Sequence, residues 1–220
     1  MLRHKRDIEI LRGKRNFILL IVALFCFVTC VQAMCEDEIP FPMAGWGWGK
    51  AKDNELSSST FILNGIEIGK STKQDIKTKY GESDSFRIQE VTYSPDLICY
   101  KERIGSIIIF EFGPLGGWDI VTSIVMTSDH SYFPKSNKCR QQLKPIDLKT
   151  QNGIRLGIDE KTLKQIIGNP VYSEKGREAY RHQIRKLDKS GISYDVTAGI
   201  EAYFKESKLR WVRIYREESN

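Results

Sequence analysis

The sequence holds no CxxC pair and no Cys/His spacing of the kind that builds a zinc site. It has no glycine-rich phosphate loop, no paired general acid and base, and no nucleophile motif. No metal and no cofactor are therefore expected, and the chain reads as non-enzymatic. The long apolar run, Phe17 to Val31, is about 15 residues, where a membrane span needs about 20. The adjacent Asp129-His130-Ser131 invites a triad reading. Neighbouring side chains point apart, so an ordinary loop is the better reading. A cleft assembled from the distant residues His130, His182 and Asp195 is the enzymatic alternative.

What is present begins with a targeting pattern. Arg3, Lys5, Arg6, Arg12, Lys14 and Arg15 precede the apolar run, and Val31-Gln32-Ala33 follows it. This predicts a secretory signal over residues 1–33, cut between Ala33 and Met34. An uncleaved anchor is the alternative. Lipidation at Cys30 or Cys35 is disfavoured, because Thr29 and Met34 stand where a small residue is wanted. Export reassigns the charge. The whole chain has 34 basic and 28 acidic residues, net +6, and the first 33 hold 6 and 2 of these. The remainder carries 28 against 26, net +2. The basic balance is thus mostly a targeting feature and does not argue for nucleic acid. Cys35, Cys99 and Cys139 follow the cut. In an oxidising compartment the favoured bridge is Cys99–Cys139, with Cys35 unpaired or pairing between chains.

Residues 34–60 read as a linker, with Pro40, Pro42 and Gly-Trp-Gly-Trp-Gly at 45–49. Trp46 and Trp48 suit a peripheral membrane contact, a docking contact, or folding back on the domain. The rest is organised around Asn152 to Pro170. Asp159 is a good N-cap, and Leu163, Ile166 and Ile167 share one face. Gly168 and Pro170 stop the helix. Asn64 to Ser83 repeats the plan: Ser71 or Thr72 as cap, Ser71 and Gln74 at capping-box spacing, Ile76, Lys79 and Tyr80 on the face, and Gly81 at the end. Helices this short need a sheet to bury that face.

Strands follow each helix. Val91–Lys101, Ile104–Phe112 and Ile120–Thr127 follow the first. Tyr172–Lys189, Gly191–Glu206 and Leu209–Arg216 follow the second. Matching pieces lie about 88 residues apart, which favours an internal duplication over similar motifs in one unrelated α+β domain. The basic stretch from Tyr172 to Lys189 is diluted by Glu174, Glu178 and Asp188 and reads as a solvated strand pair. In the last strand Trp211, Arg213 and Tyr215 point one way, and Val212 and Ile214 the other. The first set is rich in the residue types of interface hot spots. It is the candidate protein-binding face, unless it packs on the first copy.

The glycine-bounded short helices, each followed by antiparallel strands, resemble the SmpA/OmlA (BamE-like) family over residues 61–127 and 149–216. Two such units in tandem in an exported chain resemble the β-lactamase-inhibitor-protein architecture. The resemblance implies an α+β fold of two tandem repeats, residues 61–147 and 148–220. Each would be a short helix packed on an antiparallel sheet of about three to four strands. It further implies a sheet face free to bind an envelope or secreted protein, in the periplasm or outside the cell. The expected function is a protein-binding module of the bacterial cell envelope; the alternative is an inhibitor of a secreted or periplasmic enzyme.

Overall fold

Two short helices form where their caps are written. The computed structural model describes residues 50–87, 94–102, 105–113, 117–128, 133, 136–142 and 145–219. Ala33, Met34, Cys30, Cys35, Trp46, Trp48 and Asp129-His130-Ser131 lie outside these. Helix α1 spans Lys73–Tyr80. Thr72 caps it: its hydroxyl accepts from the Asp75 N–H at 3.2 Å, and the Asp75 carboxylate accepts from the Thr72 N–H at 2.7 Å. The capping box is therefore Thr72/Asp75 and not Ser71/Gln74. Ser71 instead accepts the Glu67 N–H at 2.9 Å. Helix α2 spans Glu160–Ile167, and Asp159 accepts the Thr162 N–H at 2.7 Å. Gly81 and Gly168 close the two helices at φ 91° and 86°. A residue with a Cβ is strained there.

The strands are β1 (Ile62–Leu63), β2 (Ile66–Glu67), β3 (Asp96–Lys101), β4 (Ile107–Phe112), β5 (Val121–Thr127), β6 (Arg140–Gln141), β7 (Tyr172–Glu174), β8 (Arg177–Leu187), β9 (Ser193–Lys205) and β10 (Lys208–Ser219). β1 and β2 form a small hairpin of their own. The other eight form one sheet in the order β6-β3-β4-β5-β10-β9-β8-β7. All neighbours are antiparallel except β6 beside β3.

This sheet corrects the expected fold class. The protein is mostly sheet, with one large sheet in place of two units that each own a helix and a sheet. The physical reason is edge satisfaction. β5 has β4 on one side, and β10 has β9 on one side, so each would leave a row of open backbone groups. Pairing β5 with β10 fills both rows. The register sets Val125 opposite Arg213, with Ser123 opposite Tyr215 and Thr127 opposite Trp211. Val125 and Arg213, at the middle of this seam, are 88 residues apart. Thr122 and Arg210, also 88 apart, are the extra residues at the two register shifts.

Alternation sorts the side chains. One face carries Ile108, Phe110, Ile124, Met126, Ile200, Val212 and Ile214, in one apolar core with Ile76 of α1 and with Leu163 and Ile167 of α2. Leu56, Phe61, Leu63, Ile66 and Ile68 join it from the segment before α1. Burying one such aliphatic side chain contributes about 1.5–3 kcal/mol. The opposite face carries Leu97, Cys99, Ile107, Ile109, Val125 and Trp211, all buried. Cys99 is bonded to Cys139 with a Cα–Cα distance of 4.7 Å. The bridge ties the connecting segment to this second face. Lys101 Nζ, on the same face, donates to the Ser136 carbonyl at 3.0 Å.

Candidate functional site

Trp211, Arg213 and Tyr215 share the face away from the helices, as alternation requires. Beside them lie residues that no local pattern singles out: Glu111 of β4, Ser123 of β5, and Gly199 and Glu201 of β9. The register explains the grouping. Glu201 is directly opposite Arg213, Gly199 is opposite Tyr215, and Ser123 is opposite both Tyr215 and Glu111.

Arg213 Nε donates to Glu111 Oε2 at 2.9 Å and to Ser123 Oγ at 3.3 Å. Its Nη1 lies 3.8 Å from Glu201 Oε2. The Ser123 hydroxyl donates to the same Glu111 carboxylate. The guanidinium stands 5.1 Å from the Tyr215 ring centre, a cation–π distance. The Tyr215 ring in turn lies over Gly199. A Cβ at Gly199 would come within 2.6 Å of Tyr215 Oη and of the Tyr180 carbonyl, so only glycine fits.

The electrostatics follow from depth. Glu111 and Glu201 are 1% and 2% exposed. Burial pushes the Glu201 carboxyl up to about 7, against the opposing pull of Arg213 and with help from Glu111. Burial pulls on Arg213 in the opposite sense, but Glu111 and Glu201 outweigh it and hold the guanidinium charged. Burial also lifts Tyr215 to about 12. Two carboxylates flank one cation, so the face is not a free basic surface. Trp211 is fully buried. Trp211 Nε1, Glu111 Oε1 and Glu201 Oε2 have no hydrogen-bond partner among the described residues. The arrangement works as a cross-link: one β10 side chain reaches β4, β5 and β9 at once.

The distant pair His182 and Asp195 does not assemble. His182 is on the helix face, where its Nδ1 donates to Asn54 O at 2.9 Å and Asn54 Oδ1 at 3.0 Å. Burial lowers its pKa, which favours the neutral ring. Asp195 is on the other face and accepts from Arg185 Nε at 3.1 Å. Among the described residues no three of His, Cys, Asp or Glu gather closely enough to hold a metal.

The exposed apolar feature lies elsewhere. β7 meets β8 only at Arg177–Ala179, and β5 meets β10 only at Trp211–Tyr215. The ends of β8, β9 and β10 therefore run on past both neighbours as a three-stranded extension. At its tip Leu187 is 69% exposed and Ile192 is 59% exposed. The turn between them is well braced. Asp188 Oδ1 accepts the Ser190 N–H and the Ile192 N–H, each at 2.8 Å, and the Asp188 N–H donates to the Ile192 carbonyl at 2.9 Å. The signal in the sequence is Asp188-Lys189-Ser190-Gly191, a turn-rich run flanked by two large aliphatics. The basic residues around it draw the eye first.

No family model matches this chain, and no curated protein or solved structure matches it significantly.

Proposed function

We propose that this chain is an exported, non-enzymatic protein-binding module of the cell envelope. The observation that carries the reading is the braced tip, which holds Leu187 and Ile192 in solvent at the end of a three-stranded extension. Large aliphatics held open by a rigid turn cost solvation without serving the core, which is how a contact site looks before its partner arrives. Preorganisation by the Asp188 carboxylate keeps the entropy cost of docking low. The basic-then-apolar N-terminus supports export. The Cys99–Cys139 bridge agrees with it, since disulfides persist in oxidising compartments. The short-helix motifs that resemble the SmpA/OmlA family support the envelope assignment.

The test is a paired substitution, Leu187→Asp with Ile192→Asp. Both side chains are exposed, so the melting temperature should stay within a few degrees of wild type. Recovery of the envelope partner by the tagged chain should fall at least about tenfold, the loss expected when about 1.4 kcal/mol of contact is removed. An unchanged set of partners would sink the reading.

A further inference from the structure

We infer that the outer edge of β8, from Gln183 to Leu187, is a docking site for an extended acidic segment of a partner protein, which adds to the sheet as a further strand. The inference rests on the protein-binding reading and names the surface and the chemistry.

The argument starts from backbone direction. In a strand, the N–H and C=O of alternate residues point to opposite edges. Lys52 N–H donates to the Arg181 carbonyl at 2.9 Å, and the Gln183 N–H donates to the Lys52 carbonyl at 3.0 Å. On the same side Val171 N–H donates to the Ala179 carbonyl at 2.8 Å. The odd-numbered residues of β8 thus turn their backbone groups away from β9. β7 uses this edge at Arg177–Ala179, and Lys52 uses it around His182. After that, the Gln183 carbonyl, both backbone groups of Arg185 and the Leu187 N–H meet no backbone partner among the described residues.

Proteins usually blunt such an edge by shortening it or covering it. Here it runs on to the tip, next to the exposed Leu187. The charges choose the occupant. Lys52, Arg181, Arg185, Lys186 and Lys189 line the edge and tip, against Asp53, Glu55, Asp188 and Asp195. Glu55 is held by Lys186 at 2.8 Å and Asp195 by Arg185 at 3.1 Å. The Asp188 carboxylate keeps its charge while it holds the turn. The balance left is positive. A second copy pairing edge to edge would bring like charges face to face. An anionic lipid surface would satisfy the charge and the aliphatics but offers no backbone groups to the open ladder. An acidic strand with apolar residues alternating satisfies all three.

The probe is a short peptide alternating valine and glutamate, titrated onto the full chain by fluorescence anisotropy, with amide exchange followed by NMR. Binding should saturate, and the Arg185 and Leu187 amides should become protected. Arg185→Pro removes an outward donor without touching the ladder to β9. It should weaken binding at least about tenfold, whereas Arg185→Ala should weaken it about two- to threefold. A valine–lysine peptide should not bind. A valine–glutamate peptide N-methylated on alternate amides should lose binding to the wild-type chain, an arm that decides the matter even if the proline variant unfolds. Absence of saturable binding, or equal binding by the N-methylated peptide or by Arg185→Pro, would overturn the proposal. So would retention of both chains on anionic vesicles with no peptide binding. An envelope partner captured alike by wild type and Arg185→Pro would keep the binding module and remove this edge from it. Peptide binding at the edge without any partner that depends on the tip would do the reverse.

Discussion

Arg213 is the residue on which the second sheet face depends. It compensates Glu111 and Glu201, both buried. Arg213→Ala would leave the buried Glu111 carboxylate without its cation, a change that costs about 3–5 kcal/mol. Urea denaturation at neutral pH reads this directly. Glu201 gives the pH test. Its carboxyl is raised on folding from 4.5 to about 7. A carboxyl raised on folding stabilises the protein fully below its unfolded value and loses that contribution as pH climbs through the folded value. The window is therefore about pH 4.5 to 7. Glu201→Gln has no such loss. Relative to wild type it should gain on the order of 3 kcal/mol between pH 4.5 and pH 8, measured by urea denaturation of both chains across that range. A flat difference would mean that Glu201 is not held neutral by its site. Trp211, Arg213 and Tyr215 were legible as one face, because alternation is local. Their partners were not. Glu111 and Ser123 lie 102 and 90 residues from Arg213, and only the strand register brings them there. The same distance in sequence hid the charge balance of the face.

The two helices are the elements best written in the sequence. Their ends depend on residues within one turn, and those residues announce themselves. The Thr162 N–H holds the Asp159 carboxyl below the usual carboxylate range, as a filled cap should. Asp159→Ala should lower the melting temperature by roughly 2–4 °C, and Asp159→Asn should restore most of it, both read by far-UV circular dichroism. Even here one local choice stays open in the sequence. Ser71 and Thr72 are both fit to cap α1, and the neighbouring β2 strand decides between them by presenting the Glu67 N–H to Ser71. The hairpin tip shows the opposite limit. Asp188 to Gly191 marks a turn plainly, but the exposure of Leu187 and Ile192 depends on β5 and β7 stopping short of it.

At the scale of the molecule, the helices and strands were legible and their assembly was not. Nothing within β5 or β10 says which edge will be filled by which strand; that is decided by open backbone rows far apart in the chain. The Cys99–Cys139 bridge is the one long-range tie that cysteine spacing and compartment made legible. It closes a separation of 40 residues and fixes the connecting segment onto the second face. Cys99→Ser with Cys139→Ser should cost about 2–4 kcal/mol, visible as a lower urea midpoint that reducing agent does not shift further, whereas reducing agent should shift the wild-type midpoint down by a similar amount.

The seam between β5 and β10 also sets a schedule. β5 ends at Thr127, and the strand that completes the middle of the sheet starts only at Lys208. A chain delivered from its N-terminus therefore exposes the inner margin of its first three large strands through the whole passage of the rest. Native pairing of such remote segments is slow. A stop codon before residue 208 would leave that margin of β5 without its partner strand.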